Sequence, residues 1–269
     1  MKPFFLSLLL TILLCSPCTA AHVDTVWITP SAMPGKVRTC IVIPQGKRQT
    51  KCPVIYLLHG YANDGTIWLR QMNLKGLADR YGVIFACPDG QNSWYWDSPV
   101  NPASRYETFV SKDLPRYVDS HYNTIASRRG RAITGFSMGG HGALWNAIRH
   151  PDVFSAAGSS SGGVDVRPWP GAWAIAQSLG PMEEAPERWD AHCVVNLVDS
   201  LEDGELKLFI DCGYEDFFFG VNNDLHERLM KRKIAHTFLV APGKHDWNYW
   251  KNSFEQQFLF FYLYFTRGK

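Results

Sequence analysis

The chain has 269 residues, 46% hydrophobic and 19% charged, with a formal net charge of +2. That length and apolar content suit one globular domain with a large core and exclude a disordered or fibrous chain. A near-balanced charge, with Lys231-Arg-Lys233 as a short solvated basic run at a helix end, gives no footprint for a nucleic acid or a membrane surface.

Residues 1–20 read as a secretory signal. Lys2 supplies the charged start, residues 4–14 the apolar stretch, and Cys18-Thr-Ala20 a small-x-small cleavage site. The apolar run is too short to span a bilayer. Cys15 and Cys18 raise a lipid anchor, but Leu14 and Pro17 stand where such a signal needs a small residue. The expectation is an exported protein, secreted or periplasmic, whose working domain is residues 21–269. Beyond the signal lie Cys40, Cys52, Cys87, Cys193 and Cys212. An odd number leaves at least one unpaired; if a bridge forms, Cys40–Cys52 is the one expected, and no spacing resembles a zinc site.

Residues 23–28 and 37–44 read as the first two strands, around a Pro34-Gly35 turn. Residues 52–58 form a continuous apolar run ended by His59-Gly60, the pattern of a central strand buried on both faces. A helix over 68–80 and a strand over 82–87 follow. Residues 107–121 have helical periodicity, with Pro115 near the start or at a kink. A strand at 154–160 precedes residues 164–200, where prolines and tryptophans break the rhythm and suggest an insertion over the top of the sheet. A strand at 206–211, a helix at 223–234, a strand at 236–241 and a closing aromatic helix at 247–265 complete the alternation. This is an α/β chain with a mostly parallel central sheet covered by helices on both faces.

The chemistry centres on Gly135-Phe-Ser137-Met-Gly139, between a short strand and a helix. In that context G-x-S-x-G is a nucleophile elbow: the serine hydroxyl projects above the sheet from a sharp strand-to-helix turn. The Met138 N–H at the helix start is aimed at a developing oxyanion, and Tyr61 N–H, in the loop after the central strand, is its expected partner. A serine nucleophile needs a base and an orienting acid, met in the order Ser, acid, His in this arrangement. After the strand at 206–211, both Glu215 and Asp216 qualify by position; Asp211 lies inside the strand and reads as structural. His245 follows the last strand. His59 reads as a loop-holding residue, His141 as a satisfied polar residue, and His150 as a helix end. His121, His192 and His226 lack a strand-end context.

Together with these, Leu57-Leu-His-Gly60, Pro88-Asp-Gly90, Asn92-Ser-Trp-Tyr-Trp-Asp97, Asp211-Cys-Gly213 and His245-Asp-Trp247 resemble the esterase family that includes tributyrin esterases, feruloyl and acetylxylan esterases, esterase D (S-formylglutathione hydrolase) and the mycobacterial mycolyltransferases. The similarity runs over nearly all of residues 37–265 and is nearest to secreted, tributyrin-esterase-like members. It implies an α/β-hydrolase fold and a triad of Ser137, Asp216 and His245, with no metal or cofactor. Lys244 departs from the pattern, since a glycine usually precedes the histidine.

The expected activity is hydrolysis of short-chain acyl or carbohydrate-linked esters through an acyl-enzyme on Ser137. The expected substrate is a small molecule or a polysaccharide. Trp68, Trp94, Trp96 and Trp247, with Tyr95 and Trp250, fall in loops at the expected active-site edge and are candidate substrate contacts. Three rival readings stand beside this one: an acyltransferase of mycolyltransferase type, an S-formylglutathione hydrolase-like thioesterase, and a carbohydrate-binding protein without activity.

Overall fold

A computed structural model describes residues 21–45 and 51–267; the signal-like stretch lies outside the described residues. The strands are β1 (His22–Ile28), β2 (Val37–Ile43), β3 (Val54–Leu58), β4 (Ile84–Pro88), β5 (Arg131–Gly135), β6 (Ala156–Ser160), β7 (Lys207–Gly213) and β8 (His236–Ala241). They form one sheet in the order β1-β2-β4-β3-β5-β6-β7-β8. The β1–β2 and β2–β4 pairs are antiparallel and all pairs from β4 to β8 are parallel. This is the mostly parallel sheet that the alternating pattern predicts, in the α/β-hydrolase arrangement that the family resemblance implies.

The period-2 alternation of the strands separates two cores. Val54, Tyr56 and Leu58 of β3 join Ile84, Ala86 and Ile133 on one face. Ile55 and Leu57 join Phe85, Cys87 and Ala132 on the other. The first face is covered by α5 (Met138–Arg149), through Leu144, Trp145 and Ile148. The second packs against α10 (Trp247–Arg267), which buries Trp250, Phe254, Phe258 and Phe261 at helical spacing.

Two helical stretches are broken where the sequence reading has them continuous. The helix expected over 68–80 is split into α1 (Ile67–Gln71) and α2 (Leu74–Tyr81). Met72 is extended, and the Asn73 side chain restarts the helix by accepting the Gly76 N–H at 3.1 Å. The stretch around Pro115 is a composite: α3 (Tyr106–Thr108), a π-helical turn at Phe109–Asp113, then α4 (Leu114–His121). Pro115 has no N–H to donate and its ring crowds the carbonyl four residues earlier; the wide turn absorbs both problems.

The insertion at 164–200 carries α6 (Ile175–Leu179), α7 (Pro186–Ala191) and α8 (Val194–Leu197). It is followed past β7 by α9 (Phe219–Lys231), which starts four residues before the expected helix. Cys40 is a buried free thiol in register with Cys87 across β2 and β4, so the Cys40–Cys52 bridge is not formed.

Candidate active site

The strand order reverses around β3: β4 lies on one side and β5 on the other. Such a reversal opens a crevice at the carboxyl ends of the strands. The loops that leave β3, β5, β7 and β8 there carry His59–Tyr61, Ser137, Asp216 and His245.

Ser137 stands at the turn between β5 and α5, with φ 56° and ψ −121°. That is a strained backbone for a residue with a side chain, and it is held from several directions. Ser137 N–H donates to Ser160 O at 3.0 Å, and Ser137 O accepts from His141 N at 3.1 Å and Gly163 N at 3.3 Å. The flanking glycines are required by space. A Cβ on Gly139 would sit 2.1 Å from Leu58 O, and one on Gly135 would sit 2.5 Å from Leu58 O and from the Gly139 backbone. The helix can therefore start against the end of β3 only if both positions lack a side chain.

His245 Nε2 lies 2.9 Å from Ser137 Oγ. Its Nδ1 lies 2.8 Å and 3.0 Å from the two carboxylate oxygens of Asp216. An ionised carboxylate only accepts, so the proton belongs on Nδ1 and Nε2 is left as an acceptor for the serine hydroxyl. The Asp216 side chain is fully buried, and its Oδ1 also accepts the Phe218 N–H at 2.8 Å. Glu215 points elsewhere: its carboxylate is half-exposed and 3.8 Å from Lys244 Nζ. Geometry thus separates the two acids that the sequence left open, and it gives Lys244 a surface partner. The two loops are tied by Tyr214 N–H to Ala241 O and Glu215 N–H to Gly243 O, at 3.1 and 3.0 Å, which fixes acid against histidine.

The oxyanion candidates are also pre-set. Met138 is the first residue of α5, where an N–H has no partner within the helix. Around Tyr61, its carbonyl accepts from Asn63 Nδ2 at 3.0 Å and the Ala62 N–H donates to Asn92 Oδ1 at 2.8 Å. Buried His59 anchors the same loop. Gly90 N–H donates to its Nε2 at 2.8 Å, so its Nδ1–H donates to Gly60 O at 2.8 Å. Tyr95 Oη–H donates to His59 O at 3.0 Å.

The other histidines are engaged elsewhere. Buried His141 accepts the Trp96 Nε1–H and lies 2.9 Å from Gly163 O, and its burial lowers its pKa to about 3. His150, at the end of α5, faces Glu107 at 2.9 Å. Burial pushes the Glu107 carboxyl up, but hydrogen bonds from His150, Arg149 and Trp145 outweigh it and leave its pKa at about 2.

Beneath the site, Asp211 sits inside the sheet, accepting from Ser160 Oγ, Ser253 Oγ and Gln257 Nε2 at 2.6–2.7 Å. Burial raises its pKa to about 6 against those hydrogen bonds. It is a structural brace between β6, β7 and α10, as its place in the strand suggested.

The tryptophans require a correction. Trp68, Trp94 and Trp96 are fully buried, as is Tyr95, so they offer no face to a substrate. Trp68 packs edge-on against Phe136, Trp247 and Phe254, and Trp94 stacks on Trp96 beside His141. Trp247 is half-buried against Phe136 and Trp250, and Trp250 meets the His245 ring edge-on at 4.9 Å. The exposed aromatic beside His245 is one the sequence reading passed over, Phe217, with the insertion's partly buried Trp169 and Trp173 packed behind it. Phe217 could have been found from its place directly after Asp216. Among the described residues, no group of His, Cys, Asp or Glu side chains is arranged to hold a metal ion.

The arrangement can turn Ser137 into an oxygen nucleophile and stabilise negative charge beside it. Comparison with known proteins places the chain among esterases. The family model described as "Putative esterase" matches residues 31–261. An acetyl esterase of Caldicellulosiruptor saccharolyticus is 27% identical over 219 residues, which cover 75% of this chain and 81% of that protein. An esterase of Mycobacterium tuberculosis is 30% identical over 223 residues; these make up 72% of this chain but 48% of that protein, so this chain spans about half its length. Among solved structures, a ferulic acid esterase superposes with a TM-score of 0.78 at 25% identity, covering 91% of this chain and 99% of that one. A family match that runs from before β2 into α10, on a fold shared with a ferulic acid esterase, makes this chain a member of the esterase family of α/β hydrolases.

Proposed function

We propose that this protein is a serine carboxylesterase that hydrolyses short-chain acyl or carbohydrate-linked esters through an acyl-enzyme on Ser137. The observation that carries the reading is the unbroken hydrogen-bonded line from Asp216 through His245 to Ser137 Oγ.

In this mechanism His245 Nε2 takes the Ser137 proton as the hydroxyl oxygen attacks the ester carbonyl. The N–H groups of Tyr61 and Met138 receive the developing oxyanion. The imidazolium then gives its proton to the leaving alcohol, and water, activated by the same nitrogen, releases the acid and frees the serine. Asp216 holds the Nδ1–H tautomer and offsets the charge on the imidazolium. A missing oxyanion donor typically costs about 3–4 kcal/mol of transition-state stabilisation.

Similarity to an acetyl esterase and a ferulic acid esterase supports an oxygen ester, while a 24% identical S-formylglutathione hydrolase of Rattus norvegicus supports the thioester reading, and the panel below separates the two. In this reading residues 1–20 direct export and residues 21–269 act as one catalytic domain, on an extracellular or periplasmic ester. No helix among the described residues is long and apolar enough to cross a membrane. The test is a hydrolysis panel on the purified protein with Ser137→Ala as control: p-nitrophenyl acetate and butyrate, methyl ferulate, acetylated xylan and S-formylglutathione. Turnover of the oxygen esters that vanishes in Ser137→Ala is the expected result. Folded protein that turns over none of the panel would favour a binding protein or a transferase.

A further inference from the structure

We infer that Phe217, backed by Trp173, is the specificity-determining platform for the alcohol half of the ester, and that it selects alcohols with a flat apolar face. This rests on the esterase reading. In that reading the leaving alcohol departs beside His245, because His245 Nε2 must protonate it. In this reading a side chain beside Nε2 touches the alcohol, and Phe217 is the exposed ring that packs against the imidazole.

Three aromatic rings pack on the His245 imidazole: Phe217 at 4.3 Å between centroids, Trp250 at 4.9 Å and Phe218 at 5.3 Å. Trp250 and Phe218 are buried, whereas Phe217 is 50% exposed. Trp173 stacks on Phe217 at 5.7 Å with an interplanar angle of 15°, and Trp169 adjoins both. An aromatic band thus runs outward from the histidine, with Phe217 exposed and the partly buried Trp173 and Trp169 behind it.

The band is built rigidly. Phe217 is fixed to the triad acid, because the next residue's N–H is accepted by the Asp216 carboxylate. Trp173 and Ala174 both hold left-handed backbones, at φ 48° and 55°, an uncommon pair for residues with side chains. The Trp173 carbonyl is anchored by the buried Trp94 Nε1–H at 3.1 Å. Strained backbone held in place by the interior is a mark of a functional position. Here it sets the partly buried Trp173 ring against the exposed Phe217.

The chemistry such a surface recognises is a flat C–H or π face, found on a pyranose ring and on an aryl group alike. Three acetates separate the possibilities: ethyl acetate, benzyl acetate, and a monoacetate of methyl β-xylopyranoside. The readout is the ratio of kcat/KM for each ring ester to that for ethyl acetate. Wild-type protein is expected to prefer at least one ring ester, and the preferred one identifies the face. Phe217→Ala should lower that ratio by about tenfold, chiefly through KM, a change that corresponds to about 1.4 kcal/mol. Trp173→Ala should lower it in the same direction, and Phe217→Tyr should keep it. If Phe217→Ala slows all three esters equally, Phe217 only covers His245 and the platform is overturned. Wild-type protein that turns over ethyl acetate without preferring a ring ester overturns the platform alone; wild-type protein that turns over none of the three overturns the esterase reading with it.

Discussion

Asp216 meets His245 Nδ1 with both carboxylate oxygens, at 2.8 and 3.0 Å, from a fully buried position. Its neighbour Glu215 faces solvent and Lys244. One step along the chain therefore separates an acid that can fix the imidazole tautomer from one that cannot. Asp216→Asn should lower kcat for p-nitrophenyl butyrate by on the order of 10³–10⁴-fold, because an amide favours the wrong tautomer. Glu215→Gln should stay within a few-fold of wild type. Steady-state kinetics on both variants checks the assignment, and the reverse pattern would move the acid to Glu215.

The elbow makes a prediction about stability. An alanine methyl at position 139 would lie 2.1 Å from Leu58 O and 2.7 Å from His59 O. Both are backbone atoms that cannot swing away. Gly139→Ala should destabilise the protein by about 1–3 kcal/mol or more, the usual scale of overpacking, and displace the loop that carries Tyr61. A lowered urea midpoint with a lowered kcat is the expected pair of results. A midpoint equal to wild type would mean that α5 can pull back from β3 at no cost.

Tyr95 acts on the oxyanion loop from behind. Its hydroxyl is the buried donor to His59 O. Tyr95→Phe leaves that carbonyl without this donor, a loss of about 1–3 kcal/mol. The mechanism predicts a fall in kcat greater than the rise in KM, because a displaced Tyr61 N–H weakens binding of the oxyanion more than of the ground-state ester. A change in stability with unaltered kcat would show that the loop holds its place without this bond.

His141 predicts a pH effect with a definite sign. Its pKa is depressed from the usual 6.5 to about 3 by burial. A depressed histidine contributes stability that is fully present above about pH 6.5 and is lost as the pH falls towards 3, because the unfolded chain takes up the proton first. Between pH 6.5 and 4 this amounts to about 3 kcal/mol at 1.36 kcal/mol per pH unit. Asp211, raised to about 6 by burial, works with the opposite sign between about pH 4 and 6, so the wild type alone cannot separate them. The stability difference between wild type and His141→Gln should therefore shrink as the pH is lowered from 7 to 4. A constant difference would contradict a neutral, buried His141.

Strand-end grammar made much of the site legible in the sequence. Ser137, Asp216 and His245 each lie two to four residues past a strand, and parallel strands deliver such positions to one edge. Acid identity was not legible, because Glu215 and Asp216 differ only in which way the turn after β7 faces them. The tryptophans misled for a related reason. Trp94 and Trp96 sit in a polar, turn-rich segment, yet Trp94 and Tyr95 adopt left-handed backbones that fold the segment inward against His141 and Gly142. A linear pattern does not reveal that inversion. Nor did it reveal Phe217 and Trp173, whose proximity depends on how the insertion crosses to β7. The breaks at Met72 and around Pro115 were marked by residues that end helices, but their form depends on packing against the sheet.

Hydrolysis through Ser137 requires a covalent acyl group on its side-chain oxygen. The most direct measurement is rapid acid quench of the enzyme during turnover of p-nitrophenyl butyrate, followed by mass spectrometry of the intact protein and its peptides. A butyryl mass is expected on the peptide containing Ser137, accumulating with a burst of p-nitrophenol and absent from Ser137→Ala. Undiminished turnover by Ser137→Ala, or a butyryl group on any other residue that forms and decays at the rate of turnover, would contradict it.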